Sequence, residues 1–179
     1  MGLRVLVAGA GAVGSVIGGL LAAAGHNVTL LGRRIHLAAI ASDGLALEGL
    51  WGERLVRVLT VATAVEELEG PFDAVILTVK SYDTAAVMSA MKGLVAADGC
   101  VIALQNGLGN VEQVAAAVGP ARAVGGRVIF GAAIPRAGVV RVTVFADPIA
   151  LGAAIAGTPA AERHARQPGV ITIPREARL

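Results

Sequence analysis

Near its N-terminus the chain reads LRVLVAGAGAVG over residues 3–14. The first half, Leu3–Ala8, is a short and nearly continuous apolar run, which is typical of a strand buried on both faces. The glycines that follow have the spacing Gly9-x-Gly11-x-x-Gly14, and the apolar residues after them recur at helical spacing. Strand, glycine turn and helix in this order predict the first βα unit of a dinucleotide-binding fold.

The glycines of this turn are expected to have separate roles. Gly9 permits a tight turn, Gly11 lets a pyrophosphate approach the backbone, and Gly14 lets the helix pack closely on the strand. N–H groups at the helix N-terminus would bind the pyrophosphate. A glycine-rich turn without a ligand is the alternative, since the chain has 24 glycines in 179 residues. The cofactor-binding residues predicted here are Gly9, Ala10, Gly11, Ala12, Val13 and Gly14.

The same region is also compatible with a signal peptide or a membrane helix, because residues 5–25 carry no charge. Recurrent glycines dilute its hydrophobicity, however, and the segment divides cleanly into strand, turn and helix. We therefore predict no association with a membrane.

Buried strands alternate with helices along much of the chain. This alternation predicts a Rossmann-type α/β fold with a doubly wound, mainly parallel sheet. The elements are predicted at Leu3–Ala8, Val28–Leu31, His36–Ala41, Ala74–Val79, Asp83–Lys92, Cys100–Leu104 and Asn110–Val118.

Antiparallel additions to the sheet are predicted at two places. Residues 44–62 are interpreted as a hairpin whose second arm is Leu55–Val61. Val124–Ala132 and Val139–Phe145 are interpreted as two further strands joined by a turn. A separate turn is expected at Asp98-Gly99.

One domain is predicted over residues 1–157, because the alternation of elements fades beyond it. Residues 158–179 are interpreted as a tail or as the truncated start of a further domain. The chain is 55% hydrophobic but only 3% aromatic, so its core is expected to consist of aliphatic side chains.

Composition argues against several classes of function. A single cysteine, Cys100, excludes an internal disulfide and fits a reducing, cytoplasmic location. The net charge of +2 comes without a run of Lys or Arg, and aromatic residues are scarce, so no nucleic-acid partner is expected. The 3 histidines are dispersed, and no metal site is predicted.

The end of the second strand bears on the choice of cofactor. A site for NAD usually has a carboxylate there to bind the ribose hydroxyls, but this chain reads Gly32-Arg33-Arg34. A guanidinium can bind a 2′-phosphate through two charged hydrogen bonds, whereas a carboxylate would repel it. Arg33 and Arg34 are therefore predicted to favour NADP(H). Solvated arginines at a strand end are the alternative, more so for Arg34.

Two later strands end in polar residues at the same edge of the predicted sheet. Lys80 follows the third strand and is one of only two lysines in the sequence. Gln105-Asn106-Gly107 follows the fourth strand. Ligands of open α/β sheets bind at this edge, so Lys80, Gln105 and Asn106 are candidate binding residues. A solvated lysine and a turn asparagine are the alternatives.

Together these motifs resemble the ketopantoate reductase (2-dehydropantoate 2-reductase) family over residues 3–152. The match comprises the glycine turn, Gly25-His26-x-Val28, Arg33 with His36-Leu37, Thr78-Val79-Lys80 and Gln105-Asn106-Gly107-x-Gly109-Asn110.

The resemblance implies NADPH-dependent reduction of 2-dehydropantoate to pantoate. It implies that Arg33 and Lys80 bind the adenosine 2′-phosphate and that Asn106 lies near the nicotinamide and the substrate, a small 2-oxo acid. In the family, a second, helical domain supplies a catalytic lysine and a glutamate. We expect that domain to be absent here, so the catalytic residues stay unknown and the isolated chain is expected to be inactive.

Alternative functions are a non-catalytic NADP-binding module and another two-domain dehydrogenase of the 2-oxo acid or opine type. Gln105-Asn106-Gly107 weighs against the second alternative. A homo-oligomer is also expected, because the surface that a helical domain normally covers would favour self-association.

Overall fold

The computed structural model describes residues 2–153. Its strands are β1 (Arg4–Ala8), β2 (Asn27–Leu31), β3 (Leu45–Gly49), β4 (Arg54–Val56), β5 (Leu59–Ala62), β6 (Phe72–Leu77), β7 (Val95–Ala103), β8 (Ala123–Arg136) and β9 (Val139–Ala153). Its α-helices are α1 (Ala12–Ala23), α2 (Arg34–Asp43), α3 (Thr84–Met91) and α4 (Asn110–Val118). The predicted boundary at residue 157 and the segment 158–179 lie outside the described residues.

In this part of the chain one sheet of nine strands has the order β4-β3-β9-β8-β7-β6-β1-β2-β5. Six adjacent strands run parallel to one another, in the order β8-β7-β6-β1-β2-β5. The pairs β8–β9 and β3–β4 are antiparallel. The chain winds outward from β1 in both directions, through β2 on one side and β6 on the other. The predicted doubly wound α/β fold with antiparallel additions is confirmed.

Strand β1 is buried on both faces, as its apolar run predicts. Val5 and Val7 pack in one core cluster with Val16 and Ile17 of α1. Leu6 faces the opposite cluster, which also contains side chains of α3 and α4. The sheet is thus covered by helices on both sides, and the cores are mainly aliphatic.

The uncharged N-terminal segment forms β1, the glycine turn and α1, which confirms its division into strand, turn and helix. Within residues 2–153, no helix has the length and apolar character needed to cross a membrane.

The prediction for residues 44–62 is wrong in its second half. β3 and β4 form the expected antiparallel hairpin, but the chain then crosses the sheet, and Leu59–Ala62 (β5) pairs in parallel with β2. Alternation of apolar and polar residues fits a half-buried strand in either place and does not specify the partner. The parallel pairing with β2 places the end of β5 at the edge of the sheet where ligands bind.

Asp98-Gly99 does not form a turn that ends a strand. Both residues lie within β7, where the register jumps from Phe72↔Val95 to Ala74↔Cys100. A Cβ on Gly99 would lie 2.9 Å from the carbonyl oxygen of Phe72. Close backbone packing at this bulge therefore requires glycine. In the sequence, such a glycine has the same appearance as a glycine in a turn.

The antiparallel additions are joined to the sheet by β9, which is longer than predicted and pairs with both β8 and β3. Trp51, in the β3–β4 turn, packs on this hairpin. The centroid of its ring lies 5.0 Å from that of Phe130 and 5.6 Å from that of Phe145. These aromatic contacts hold the β3–β4 hairpin against β8 and β9.

Candidate functional site

A cleft of about 610 Å³ opens at the carboxyl ends of the parallel strands. The strands that end there are β1, β2, β5 and β6, so the topology alone brings distant segments together. The residues that line it are Gly9, Ala10, Gly11, Leu31, Gly32, Arg33, Thr63, Ala64, Val65, Thr78, Val79, Lys80, Tyr82 and Asp83.

Two glycines of the turn are required by the fold itself. Gly9 has φ +114°, and a Cβ there would lie 2.6 Å from the backbone nitrogen of Val79. A Cβ on Gly14 would collide with the carbonyl oxygen of Gly9 and lie 2.6 Å from Thr78 Oγ1. Thr78 Oγ1 also donates to that carbonyl at 2.8 Å, which ties β6 to the turn.

Gly11 differs from these two glycines, because a Cβ there would meet only the Gly9 carbonyl oxygen, 4.0 Å away. It is the N-cap of α1, and no side chain within residues 2–153 caps this helix end. The first turn of α1 also lacks an acidic residue. Open space and uncapped N–H groups at a helix N-terminus form a site suited to an anion.

Arg33 and Lys80 both line the cleft and give it positive charge. Neither forms an ion pair with another residue that the structure describes. The only acidic side chain among the lining residues is that of Asp83. The cleft therefore presents two exposed cations near the anion site.

Arg34 does not line the cleft. It lies near Glu67, whose pKa is lowered mainly by hydrogen bonds from Thr63 and, least of the causes, by Arg34. The Thr63 amide and hydroxyl donate to the two Glu67 carboxylate oxygens at 2.8 and 2.9 Å. Arg34 thus adjoins the residues that shape one wall, and its role in binding stays a prediction.

Gln105 and Asn106 follow β7, one strand beyond the cleft. Gln105 Nε2 donates to Thr84 Oγ1 at 2.7 Å, and Gln105 Oε1 is buried without a hydrogen-bond partner among the described residues. Asn106 is exposed, and its carbonyl accepts a hydrogen bond from Asn110 Nδ2 at 3.3 Å. Neither residue lines the cleft in this structure, so their part in binding also stays a prediction.

His36 is a buried link between three elements. The Gly138 amide donates to Nδ1 at 3.1 Å, so the proton of the neutral ring is on Nε2, which lies 3.0 Å from Ser15 Oγ. Burial and, secondarily, the charge of Arg33 lower the pKa of His36. Both effects favour the neutral ring.

Of the predicted residues, Gly9, Ala10, Gly11, Arg33 and Lys80 come together in the cleft. Ala12, Val13 and Gly14 form the first turn of α1 behind it. Two further segments that line the cleft, Thr63–Val65 and Tyr82-Asp83, are not among the residues predicted from the sequence. The first segment follows β5, and a correct parallel pairing for β5 would have indicated it, because strand ends at this edge bind ligands.

A sequence profile described as "Ketopantoate reductase PanE/ApbA" matches residues 5–155. A 2-dehydropantoate 2-reductase from Pyrococcus horikoshii is 41% identical over 138 residues, which are 77% of this chain and 44% of that protein.

Solved structures agree with this match. A PanE/ApbA family ketopantoate reductase from Ralstonia eutropha has a TM-score of 0.78 and 30% identity, over 92% of this chain and 52% of that one. D-mandelate dehydrogenase with NADH and anilino(oxo)acetate shares the fold, with a TM-score of 0.77 at 24% identity over 91% of this chain and 52% of that one. The chain thus spans about half the length of the proteins it matches.

Proposed function

The chain belongs to the ketopantoate reductase family, and we propose that it binds NADP(H) in the cleft as the cofactor-binding half of a 2-dehydropantoate 2-reductase. The observation that carries this proposal is the combination at one sheet edge of the open Gly11 position, the uncapped α1 terminus and the two cations. NADPH, when bound, supplies the hydride for the keto carbon of the substrate.

The pyrophosphate fits the turn between β1 and α1. The free N–H groups of the first turn of α1, and the positive end of the helix dipole, face this position. Gly11 leaves room for the phosphate oxygens, because the space beside its Cα is open: a Cβ there would meet only the Gly9 carbonyl oxygen, 4.0 Å away.

The adenosine end of the cofactor fits the cleft between β2 and β6. Ala64, Val65 and Val79 provide apolar surface there, and Tyr82 adds an aromatic ring that is 80% exposed. Arg33 and Lys80 line this cleft and are proposed to bind a 2′-phosphate, Arg33 through the two parallel hydrogen bonds that a guanidinium can donate.

The preference for NADPH over NADH is proposed from these cations and not from the fold. D-mandelate dehydrogenase has the same fold and was solved with NADH, so the fold by itself does not select NADPH. In the present chain, Gly32-Arg33 stands where an NAD site usually has its carboxylate.

The nicotinamide end is proposed to lie toward Gln105 and Asn106, since a dinucleotide crosses the sheet at its switch point, from β2 toward β7. The substrate, proposed to be 2-dehydropantoate, would bind beside it. The developing alkoxide of a reduced ketone needs a proton donor. We propose that this donor comes from outside residues 2–153, because Lys80 is assigned to the 2′-phosphate.

The proposal is tested by titrating the chain with NADPH and with NADH, following the fluorescence of the reduced nicotinamide. We expect NADPH to bind at least about tenfold more tightly, since one charged contact contributes about 1.5–3 kcal/mol. Equal affinities would contradict the assignment of NADP(H), and no binding of either would contradict the cofactor role as a whole.

A further inference from the structure

Four polar side chains are buried in the part of the chain that the structure describes: Ser15, His36, Thr84 and Asn110. Thr84 is fully buried and Asn110 is 3% exposed. Each is the first residue of its helix, yet neither α3 nor α4 has a side-chain hydrogen bond at its N-cap residue. A buried polar side chain costs free energy unless it is hydrogen-bonded, so the contacts of Thr84 and Asn110 need an explanation other than capping.

These two side chains form a continuous relay that ends on the loop after β7. Asn110 Nδ2 donates to the backbone carbonyls of Asn106 and Gly107 at 3.3 and 3.2 Å. Thr84 Oγ1 lies 3.4 Å from Asn110 Oδ1 and accepts from Gln105 Nε2 at 2.7 Å.

The direction of every hydrogen bond in the relay is fixed by its last members. Backbone carbonyls can only accept, so the Nδ2 group of Asn110 must face the loop and its Oδ1 must face Thr84. The Thr84 hydroxyl therefore donates to Asn110, and its lone pair accepts from Gln105. This direction turns Gln105 Oε1 away from Thr84, where it is buried without a hydrogen-bond partner among the described residues.

The loop after β7 is rich in glycine and exposed. Gly107 and Gly109 have φ of +102° and +86°, and Leu108 is 101% exposed. A Cβ on Gly107 would meet only Asn110 Nδ2, at 3.9 Å, and a Cβ on Gly109 would meet nothing within 4 Å. Asn110 is the side chain that anchors the two successive peptide groups on either side of Gly107.

We infer that Thr84 and Asn110 are positioning residues for the nicotinamide half of the cofactor. The inference rests on the proposed function, in which the Asn106 side chain meets the nicotinamide or the substrate. Thr84 and Asn110 touch neither. They fix the backbone from which Asn106 projects, and they tie that backbone to the starts of α3 and α4.

The test compares NADPH with 2′,5′-ADP, which carries only the adenosine half. Thr84→Val keeps the shape of the side chain and removes the hydroxyl, whereas Thr84→Ser keeps the hydroxyl. We expect Thr84→Val to weaken NADPH binding about fivefold or more, because it removes two buried hydrogen bonds, the one to Asn110 and the one from Gln105. The affinity of Thr84→Val for 2′,5′-ADP should change by less than about twofold. Thr84→Ser should bind NADPH with an affinity close to that of the unmutated chain.

A ligand-free measurement accompanies the titrations. Heteronuclear NOE values of the amides of residues 106–109 report their order on the ps–ns timescale. These values should fall in Thr84→Val and in Asn110→Asp, which keeps its shape but turns a carboxylate oxygen toward two carbonyls. Amides of β6 should be unchanged in both variants, which shows that the fold is intact.

The outcomes separate this inference from the proposed function. An equal loss of NADPH and 2′,5′-ADP affinity in Thr84→Val, or no loss of either, overturns the positioning role while leaving the cofactor site in place. Unchanged NOE values in both variants overturn it as well. If the unmutated chain binds neither ligand, the proposed function fails and the inference fails with it.

Discussion

Of the two cations in the cleft, Arg33 gives the sharper test of the proposed choice of cofactor, because it stands where an NAD site usually has a carboxylate. Arg33→Ala should narrow the ratio of NADPH to NADH affinity by at least about tenfold, since a charged hydrogen bond contributes about 1.5–3 kcal/mol. Parallel titrations of variant and unmutated chain with both nucleotides measure this ratio. Arg127→Ala is the matched control, because Arg127 is exposed and pairs with Asp147 outside the cleft. A ratio unchanged by Arg33→Ala would assign the preference elsewhere.

His36 should make stability depend on pH in a defined direction. Its pKa in the folded chain is lowered from the ordinary 6.5, so the unfolded chain takes up this proton more readily. The contribution of neutral His36 to the free energy of unfolding is therefore fully present above pH 6.5 and is lost as the pH falls toward the pKa of the folded chain. Urea unfolding between pH 8 and about 5 should show this decline.

The control for this pH dependence is His36→Gln, which does not titrate. Its free energy of unfolding should vary less over the same range. Glu48 and Glu67 also have lowered pKa values, but their ordinary value is 4.5, so their contributions are lost at lower pH. An identical pH dependence in His36→Gln would show that its protonation is not linked to folding.

The turn between β1 and α1 contains two glycines that the fold requires, Gly9 and Gly14, and one glycine, Gly11, that is proposed to make room for the ligand. Gly11→Ala should leave stability within about 0.5 kcal/mol, or raise it slightly, because φ is −80° and the space is open. Gly11→Ala should strongly lower the affinity for NADPH, because the alanine methyl group would occupy the proposed pyrophosphate position. Gly14→Ala should instead destabilise the fold by about 1–3 kcal/mol, since its Cβ meets backbone.

Thermal unfolding and NADPH titration of both variants measure these effects. The prediction fails if Gly11→Ala binds NADPH normally, or if Gly14→Ala is as stable as the unmutated chain.

The sequence predicts this turn well because its signals are local. The Gly9-x-Gly11-x-x-Gly14 spacing, the apolar run before it and the helical periodicity after it lie within a few residues of one another. The β5 segment was misplaced for the opposite reason, since its partner β2 is chosen by packing across the sheet. The relay of Thr84 and Asn110 was missed because its members meet only after α3 and α4 have packed together.

The chain of 179 residues should bind cofactor without reducing 2-dehydropantoate at an enzymatic rate. General acid catalysis typically contributes about 10²–10⁴-fold, and substrate positioning contributes further. In the proposed function both come from the half of the matched proteins that this chain does not span. The measurement is NADPH oxidation by the purified chain, beside a full-length ketopantoate reductase as positive control. Robust turnover by the chain would place the proton donor within it, with Lys80 the first candidate.

The pairing of β3 with β9 sets an order in which this chain can be completed during synthesis. β3 emerges early from the ribosome, but its parallel partner around Val139–Val142 emerges only after β8. Until then the β3–β4 hairpin presents unpaired edges, a state prone to aggregation. Pairing over so long a stretch of chain is also intrinsically slow. The fluorescence of Trp51, the only tryptophan, would report this late step, since Phe130 and Phe145 reach its ring only when β8 and β9 are in place.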